Sequence, residues 1–450
     1  MGLGIIAFIK SLAPITLYGV AIILSLMALI GRIRWPFLFL IALQPLQNVT
    51  AKLEALPWGN QIDDILLICI IIGWFVNASS HKEKLFEKSP INRMAWILII
   101  YTYFAFIRGC FYLNNFNIFD ITDPRLQDWK NYIILPILCF ITINTIKDKK
   151  WIKRTIVTVC VTFIFMNYYL VQQLNESSGL LSRGKALGTF TWLGTNELAA
   201  FYNQYTVLLV SIYFSVRHKF AKPILLIIIL VNIYCILFLY SRGAYAGLAL
   251  GLIVLFLFKK RIFLIPLVVV LLFWQAFLPQ QVKDRILMTT NEYGELEESA
   301  GNRIIVWQQS MDLFKKEPLM GVGFAVFRSL GFRLGDTHNI YIKIMAEQGT
   351  IGLIIFLGLI GTFLGQGWKL FRRGDDDFSR SLGIGFVACV FTMLVNNMFG
   401  DRWTYLPVSS FLWVFVGLVT RYNIIIDNAV RQKAVNSAGP EQPMRVKRRR

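Results

Sequence analysis

The sequence predicts an all-α protein, a polytopic membrane bundle of 12 or 13 transmembrane helices with one large, partly helical loop outside the membrane. Three observations favour this class. Hydrophobic residues make up 56% of the 450 residues and charged residues only 16%, against about 25% charged residues in a soluble domain. Apolar runs such as 340–364 have the roughly 20 residues that a spanning helix needs, and basic residues recur in the connections between these runs. Together these observations exclude a soluble globular domain and a disordered chain.

Thirteen apolar segments are candidates for spanning helices, and several lie near the minimum length, so that 12 or 13 helices are expected. The second candidate contains Pro36 and Pro45 and has the weakest pattern. The candidates are 12–31, 35–49, 62–78, 92–113, 129–146, 152–173, 197–216, 222–240, 243–258, 262–278, 339–366, 381–399 and 405–422. The expected regions are ten transmembrane helices in 1–278, a large loop in 279–337, further transmembrane helices in 338–425 and a basic tail in 426–450.

Charge predicts the orientation of these helices. The chain has 46 Lys and Arg residues and 26 Asp and Glu residues, a formal net charge of +20. In a soluble protein this excess would indicate a nucleic-acid partner, but here every second connection is basic, as in 82–93, 147–154 and 369–380. The positive-inside rule assigns these connections and the tail to the cytoplasm. The loop 279–337 is therefore expected to face outward.

The outward loop is long for a compact membrane protein, and a loop of this length is expected to carry function. Residues 302–316 have an amphipathic helical pattern, and Glu317-Pro318 ends it. The predicted apolar stripe consists of Ile304, Trp307, Met311 and Phe314. Such a helix is predicted to lie on the membrane surface or to fold over the mouth of the bundle.

His338 is the one histidine of three that this topology assigns to the outer side. It precedes an apolar helix that is longer than a bilayer requires, so the first turns of that helix are expected to project from the membrane, with Asp336 or Thr337 as the N-cap. An imidazole titrates near neutrality and can remove a proton from a hydroxyl group. The alternative interpretation is a capping or interfacial histidine without a chemical role.

Cations on the outward side form the second candidate site. Arg242 lies in a two-residue outer turn, where topology does not require a positive charge. Arg303 opens the amphipathic helix, and Arg183 and Lys185 lie in another outer loop. Each of them alone is explained by snorkelling at the membrane interface. Together they indicate a polyanionic ligand such as a lipid pyrophosphate, because guanidinium groups and helix N-termini bind phosphate.

The sequence indicates neither a metal site nor a nucleotide site. The six cysteines lie inside apolar segments without a paired CxxC motif, so neither a disulfide framework nor a zinc site is expected. The acidic run 375–377 falls on the cytoplasmic side and is interpreted as solvated charge.

Several short motifs follow one another in the middle of the chain. They are Asn196-Glu-Leu-Ala199, Tyr240-Ser-Arg-Gly-Ala244, Arg285-Ile286, Asn302-Arg303, Gly321-Val-Gly323, His338-Asn339 and Glu347-Gln-Gly349. This ordered series resembles the O-antigen ligase and O-antigen polymerase superfamily of bacterial inner-membrane glycosyltransferases. The motifs cover roughly residues 180–360, and the layout of helices extends the resemblance to the whole chain.

The resemblance implies an enzyme that moves a glycan from undecaprenyl pyrophosphate to a hydroxyl group of lipid A–core or of another surface acceptor. It implies a multi-pass protein of the bacterial inner membrane, with its active site on the periplasmic side, an inverting reaction and no metal or other cofactor. The implied partners are the donor glycan, the acceptor glycan and membrane lipid, without nucleic acid. The implied residues are His338 as the catalytic base, Arg242, Arg303, Arg183 and Lys185 as pyrophosphate-binding cations, and Asn196, Asn339 and Glu347 as supporting residues.

Three other functions are compatible with the sequence, and one of them is a non-catalytic assembly component of an export complex. Within the superfamily, the chain could be a repeat-unit polymerase of O-antigen or exopolysaccharide, whose acceptor also carries undecaprenyl pyrophosphate. From another class, it could be a membrane transporter of a small anion. Against transport, the sequence shows no inverted repeat, and its outward cations gather at one lip of the bundle instead of the midplane.

Overall fold

A computed structural model describes residues 2–115, 117–176, 188–190, 193–288, 298–332 and 335–437. Within these ranges the chain forms helices and no strands, so the predicted all-α class is confirmed. The α-helices are α1 Gly2–Leu29, α2 Arg34–Leu43, α3 Gln47–Thr50, α4 Ile62–Ser80, α5 Pro90–Tyr112, α6 Pro124–Thr145, α7 Lys149–Glu176, α8 Thr195–Tyr213, α9 Ala221–Phe238, α10 Arg242–Phe258, α11 Leu264–Leu272, α12 Trp274–Phe277, α13 Gln280–Leu287, α14 Glu298–Lys316, α15 Val326–Ser329, α16 Ile340–Arg373, α17 Asp377–Asn396 and α18 Leu406–Ser437. Short 3-10 turns cover Ala51–Leu53, Gly59–Gln61 and Arg261–Phe263.

Seven of the described helices are both long and apolar enough to cross a membrane, which confirms a polytopic helical bundle. They are α4, α5, α7, α9, α16, α17 and α18. Helices α6 and α8 correspond to two more of the expected spans, but charged and amide side chains interrupt their apolar sequences. Helices α1, α2, α10 and α11 contribute shorter apolar segments.

Three of the expected spans differ from the observed helices. Helix α2 ends at Leu43, because Pro45 lacks an N–H group and its ring clashes with the carbonyl of the preceding turn. Its ten residues extend about 15 Å, roughly half of the hydrocarbon thickness. The span expected at 262–278 is divided at Phe273, between α11 and the four-residue α12. The last helix, α18, continues to Ser437 and so includes the first part of the predicted tail.

Helix α17 lies at the centre of the bundle and packs against α8, α10 and α16. Inside this apolar core, Asn203 of α8 and Asn396 of α17 exchange hydrogen bonds of 3.0 and 2.9 Å. Such pairs satisfy the hydrogen bonds of amide groups that would otherwise lie unpaired in an apolar interior. Gly247 of α10 lies opposite, where a Cβ atom would stand 2.7 Å from Asn396 Oδ1. This close packing brings the start of α8, the start of α10 and the end of α17 to one end of the bundle.

The loop between α12 and α16 covers that end. Its helix α14 extends the predicted helix 302–316 by four residues at the start. The buried stripe of α14 contains Val306 and Leu313, which pack against α15 and α16. The predicted stripe was therefore wrong in register, since Ile304 is 42% exposed. Of the two predicted arrangements, α14 adopts the one in which it folds over the bundle.

Candidate functional site

A cavity of about 430 Å³ opens between α8, α10, α14 and the end of α17. We call it the arginine cavity, because four guanidinium groups line it, whereas none of the described lining residues is acidic. The four are Arg242, Arg285, Arg303 and Arg402. Asn196 lines the same cavity, so the structure brings together three residues that the sequence predicted for one site: Arg242, Arg303 and Asn196.

Two of these arginines join the turn before α10 to the segment that contains α13. Arg242 is the first residue of α10, and its Nη1 donates to the Met288 carbonyl at 2.7 Å. Arg285 is buried, and its Nε donates to the Tyr240 carbonyl at 3.3 Å. The Tyr240 hydroxyl in turn donates to Gln281 Oε1 at 2.8 Å. The turn that carries Arg242 is therefore fixed from both sides.

Arg402 belongs to the site but was not among the predicted residues. Its guanidinium is 4% exposed, and its Nη1 donates to Glu197 Oε1 at 2.9 Å, while its Nε has no hydrogen-bond partner among the described residues. Gly400 makes room for it, since a Cβ atom there would stand 1.9 Å from Arg402 Nη1. Arg402 lies in the short connection between α17 and α18, which the charge pattern predicts to face outward. The topological argument that singled out Arg242 applies to it equally, so this residue could have been found from the sequence.

Helix α14 connects the arginine cavity to His338. Arg303 and Trp307 are four residues apart on this helix, so they share one face, and both line the arginine cavity. The Trp307 indole Nε1 donates to the Thr337 carbonyl at 2.9 Å, directly before His338. The face of α14 that carries Arg303 therefore also holds the turn that carries His338.

The turn before α16 presents His338 in an unusual backbone conformation. Its φ of 52° lies in the left-handed region, which is sparsely populated by residues other than glycine. The predicted N-cap, Asp336 or Thr337, is wrong. Asn339 caps α16 instead, because its backbone is extended and its side chain accepts from the backbone N–H groups of Tyr341 and Ile342 at 3.0 and 3.2 Å. The predicted supporting residue Asn339 thus fixes the start of the helix next to His338.

His338 lines a second cavity of about 840 Å³. We call it the acidic cavity, because five carboxyl groups line it, from Glu54, Asp63, Asp128, Asp336 and Glu347. The nearest carboxylate to the imidazole is that of Asp336, whose Oδ2 lies 3.9 Å from His338 Nδ1. His338 therefore stands where the acidic cavity meets the turn held by the arginine-bearing face of α14.

The surroundings of His338 favour a neutral imidazole. Burial lowers the pKa of His338 below its ordinary value of 6.5, and the charges of Arg303 and Arg402 lower that pKa as well, whereas those of Asp336 and Glu197 raise it. The lowering effects prevail, which favours the neutral form of the imidazole. A neutral imidazole can accept a proton from a hydroxyl group.

Glu347 has a structural role in this arrangement. Its buried side chain accepts from the Phe327 backbone N–H at 3.2 Å, and its carbonyl accepts from Gly323 at 2.8 Å. Lys343 lies one helical turn before Glu347 but forms its ion pairs with other carboxyl groups. Lys343 Nζ donates to the buried Asp401 at 2.8 Å. Glu347 therefore anchors the chain around α15, whereas Lys343 anchors the connection that carries Arg402.

Two of the predicted residues, Arg183 and Lys185, lie outside the described residues. In the acidic run 375–377, Asp375 and Asp377 are exposed, as expected for solvated charge, whereas Asp376 caps α17 by accepting from the Ser379 backbone N–H at 2.6 Å. Within the described ranges no three His, Cys, Asp or Glu side chains are grouped as a metal site would require.

The fold and this pair of cavities define a class: polytopic membrane proteins with a charged site at one end of the helical bundle. Residues 224–357 match the protein-family model described as O-antigen ligase. This segment includes Arg242, Arg303 and His338. The predicted resemblance to the O-antigen ligase superfamily is thereby confirmed, and relatives along more of the chain support it.

These relatives are bacterial proteins. One named "Putative polysaccharide ligase" in Rickettsia felis is 24% identical over 385 residues, which are 78% of this chain and 88% of the relative. Another of that description in Rickettsia conorii is 25% identical over 212 residues, 42% of this chain and about half, 49%, of the relative. The exopolysaccharide production protein ExoQ of Rhizobium meliloti is 32% identical over 130 residues, 25% of this chain and 29% of that protein.

Proposed function

We propose that this protein is a glycosyltransferase that moves a glycan from a polyprenyl pyrophosphate, such as undecaprenyl pyrophosphate, to a hydroxyl group of a surface acceptor. The observation that carries this proposal is that the arginine cavity lies close to His338. The first supplies cations for a pyrophosphate, and the second supplies a neutral base. The proposal assigns the site to the periplasmic face of the bacterial inner membrane, because the positive-inside rule predicts that the loop 279–337 faces outward.

The arginine cavity suits the donor. As the bond between the anomeric carbon and the pyrophosphate oxygen breaks, negative charge develops on the leaving group. Guanidinium groups that are already in place stabilise this charge in a partly dehydrated site, where electrostatic interactions are stronger than in water. Arg242 and Arg303 are the predicted ligands, and Arg402 adds a buried Nε without a protein partner. Such an atom gains a hydrogen bond when an anion enters.

His338 suits the acceptor. In the proposed step, its imidazole takes the proton of the acceptor hydroxyl while the acceptor oxygen attacks the anomeric carbon. The new C–O bond forms as the bond to the pyrophosphate breaks, and the pyrophosphate leaves with the electron pair. A single displacement of this kind inverts the anomeric centre. The leaving group is already stable as an anion, so no general acid is required.

The names of the relatives indicate the kind of acceptor. The relatives named as polysaccharide ligases support attachment of a polysaccharide to another molecule, and we propose lipid A–core or another surface glycan as the acceptor. A repeat-unit polymerase is the second candidate, because the segment similar to ExoQ belongs to a protein named for exopolysaccharide production. Both functions use the same donor site and the same base.

A reconstituted reaction tests the proposal. The full-length protein in lipid nanodiscs would receive a labelled polyprenyl-pyrophosphate glycan and a panel of acceptor glycans, and the assay would follow transfer of the label together with release of polyprenyl pyrophosphate. We expect transfer without added metal. Absence of release with every acceptor would contradict the proposal. In a deletion strain, long glycans that accumulate on the lipid carrier would indicate a ligase, and single repeat units would indicate a polymerase.

A further inference from the structure

We propose that the acidic cavity binds the sugar that accepts the transferred glycan, and that it takes a sugar bearing hydroxyl or amino groups and lacking phosphate or carboxylate substituents. The role of the cavity rests on the proposed function. Its binding chemistry rests on the lining residues alone, so the two can be tested separately.

Charge is the first reason. Five carboxyl groups line the acidic cavity, together with only two cations, Arg328 and Lys343. Both cations already form ion pairs, Arg328 with Asp128 at 3.4 Å and Lys343 with Asp401 at 2.8 Å. A phosphate or carboxylate on the ligand would therefore be placed among carboxyl groups without a fresh cationic partner, and such an arrangement disfavours binding.

Unsatisfied polar groups are the second reason. Gln47 Oε1 and Asp63 Oδ1 are buried without a hydrogen-bond partner within the described part of the chain. Gln44, which is only 7% exposed, adds a third polar side chain. All three residues line the acidic cavity. Native proteins rarely leave buried polar atoms unpaired, so Gln47 Oε1 and Asp63 Oδ1 call for partners that the protein itself does not supply.

A sugar supplies the partners that these groups lack. Each hydroxyl group donates one hydrogen bond and accepts others, and an ammonium group donates three. The carboxyl oxygens of Asp63 accept hydrogen bonds, and the amide of Gln44 both donates and accepts. Phe324 and Tyr405 line the same cavity and offer apolar surface to the carbon face of a sugar ring. A volume of about 840 Å³ lies within the usual range for ligand sites.

Position is the third reason. The cavity includes His338, so a hydroxyl group of a sugar bound there reaches the proposed base directly. The walls come from segments far apart in the sequence, including α3, the start of α4 and the connection before α18. Only the folded chain brings these hydrogen-bonding side chains together around His338.

The test measures binding without any donor. The full-length protein in lipid nanodiscs would be applied to an array of bacterial oligosaccharides that are neutral, amino-bearing, phosphorylated or rich in uronic acid, and affinities for the best ligands would follow in solution. We expect binding of neutral or amino-bearing glycans, and the two groups on the array distinguish hydroxyl recognition from ammonium recognition. Preference for phosphorylated or uronic glycans, binding of none, or binding of Ca²⁺ in place of a glycan would overturn the inference.

Matched variants locate the binding site. Asp63→Asn and Gln44→Leu are each expected to weaken binding about tenfold, the factor that corresponds to about 1.4 kcal/mol. Asp64→Asn is the control, because Asp64 pairs with Lys130 at 2.7 Å and does not line the cavity. Gln44→Leu replaces a cavity-lining amide with an apolar side chain of similar size, so the melting temperature of this variant should not fall. Equal effects of Asp63→Asn and Asp64→Asn would contradict the inference.

The outcomes separate the two proposals. A protein that binds neutral glycans in the acidic cavity but never transfers a glycan would refute the proposed function and leave this inference intact. A protein that transfers glycans while binding acceptors irrespective of their charge would refute this inference alone.

Discussion

The arginine cavity and the acidic cavity lie at the same end of the bundle but have opposite chemistry. Four cations and no described acidic residue line the first, whereas five carboxyl groups and two ion-paired cations line the second. His338 lines the second and is also influenced by the charges of Arg303 and Arg402 from the first. In the proposed reaction, this difference would let the arginine cavity stabilise an anionic leaving group on one side of His338 and the acidic cavity receive an uncharged nucleophile on the other.

The two cavities are also built differently. Two arginines of the first donate to backbone carbonyls, Arg242 to Met288 and Arg285 to Tyr240. In the second, Lys343 is held by the buried carboxylate of Asp401. Burial raises the pKa of Asp401, but Lys343 and the Thr404 hydroxyl and backbone N–H lower it more, so its pKa lies below its ordinary value. The connection from 400 to 405 thus anchors Lys343 for one cavity and carries Arg402 for the other.

A test of transmembrane topology has the largest expected effect, because each position is either labelled from outside or not labelled at all. If both cavities open to the outer side, a membrane-impermeant thiol reagent should label Gln308→Cys on the exposed face of α14 and should not label Arg431→Cys near the end of α18. Both changes would be made after replacement of the six native cysteines. Labelling of the second position and not the first would invert the assignment and remove both cavities from the side on which the donor glycan is presented.

Removal of the group between the cavities is expected to have the largest kinetic effect. In His338→Ala, loss of the base should slow glycan transfer by roughly 10²–10⁴-fold, because the acceptor hydroxyl then loses its proton to water. Donor binding should persist, since the arginines are intact. Single-turnover assays and donor-binding measurements on the purified protein check both points. His218→Ala, an exposed position in another connection, is the control, and near-normal transfer by His338→Ala would exclude the proposed base.

Conservative changes in the arginine cavity should have a smaller effect. Arg242→Lys and Arg303→Lys keep the charge but lose the planar fork that binds phosphate oxygens in pairs. Each is expected to slow transfer more than tenfold, because a hydrogen bond to a charged group contributes about 1.5–3 kcal/mol. Neutral acceptor glycans should bind these variants normally. Arg217→Lys, whose guanidinium is 84% exposed and pairs with Asp377, is the matched control. Full activity in both variants would leave the arginines as interfacial anchors.

The two cavities differ in how far the sequence predicts them. Arg242, Arg303 and Asn196 were predicted together, because charge placement and motif order both point to one outer lip. The acidic cavity was not predicted, because Gln44, Asp63 and Asp128 belong to three helical regions, and their meeting depends on tertiary packing. The local sequence around each residue does not indicate that these three residues lie together in the fold.

The register of α14 shows a second limit. The apolar pattern selected a stripe through Trp307, whose indole is instead directed to the Thr337 carbonyl. The buried stripe passes through Ser310, a polar residue that hydrophobic periodicity counts as exposed. Its hydroxyl donates to the Val306 carbonyl at 2.7 Å, and this bond lets it lie in the interior. A hydropathy pattern does not show that a polar side chain can be buried when it bonds to the backbone of its own helix.

The smallest expected effect concerns pH and tests whether His338 responds to both cavities. Transfer should fall at acidic pH as the imidazole becomes protonated, with a midpoint below the ordinary value of 6.5, because burial and the nearby arginines lower its pKa. Asp336 raises that pKa, so Asp336→Asn should move the midpoint to still lower pH. Asp128→Asn is the matched control, since Asp128 lines the same cavity but is not among the groups that shift His338. The quantity to measure is kcat at saturating acceptor over a range of pH. A midpoint above 6.5, or one that Asp336→Asn leaves in place, would mean that another group limits the rate in acid and that His338 does not connect the two cavities.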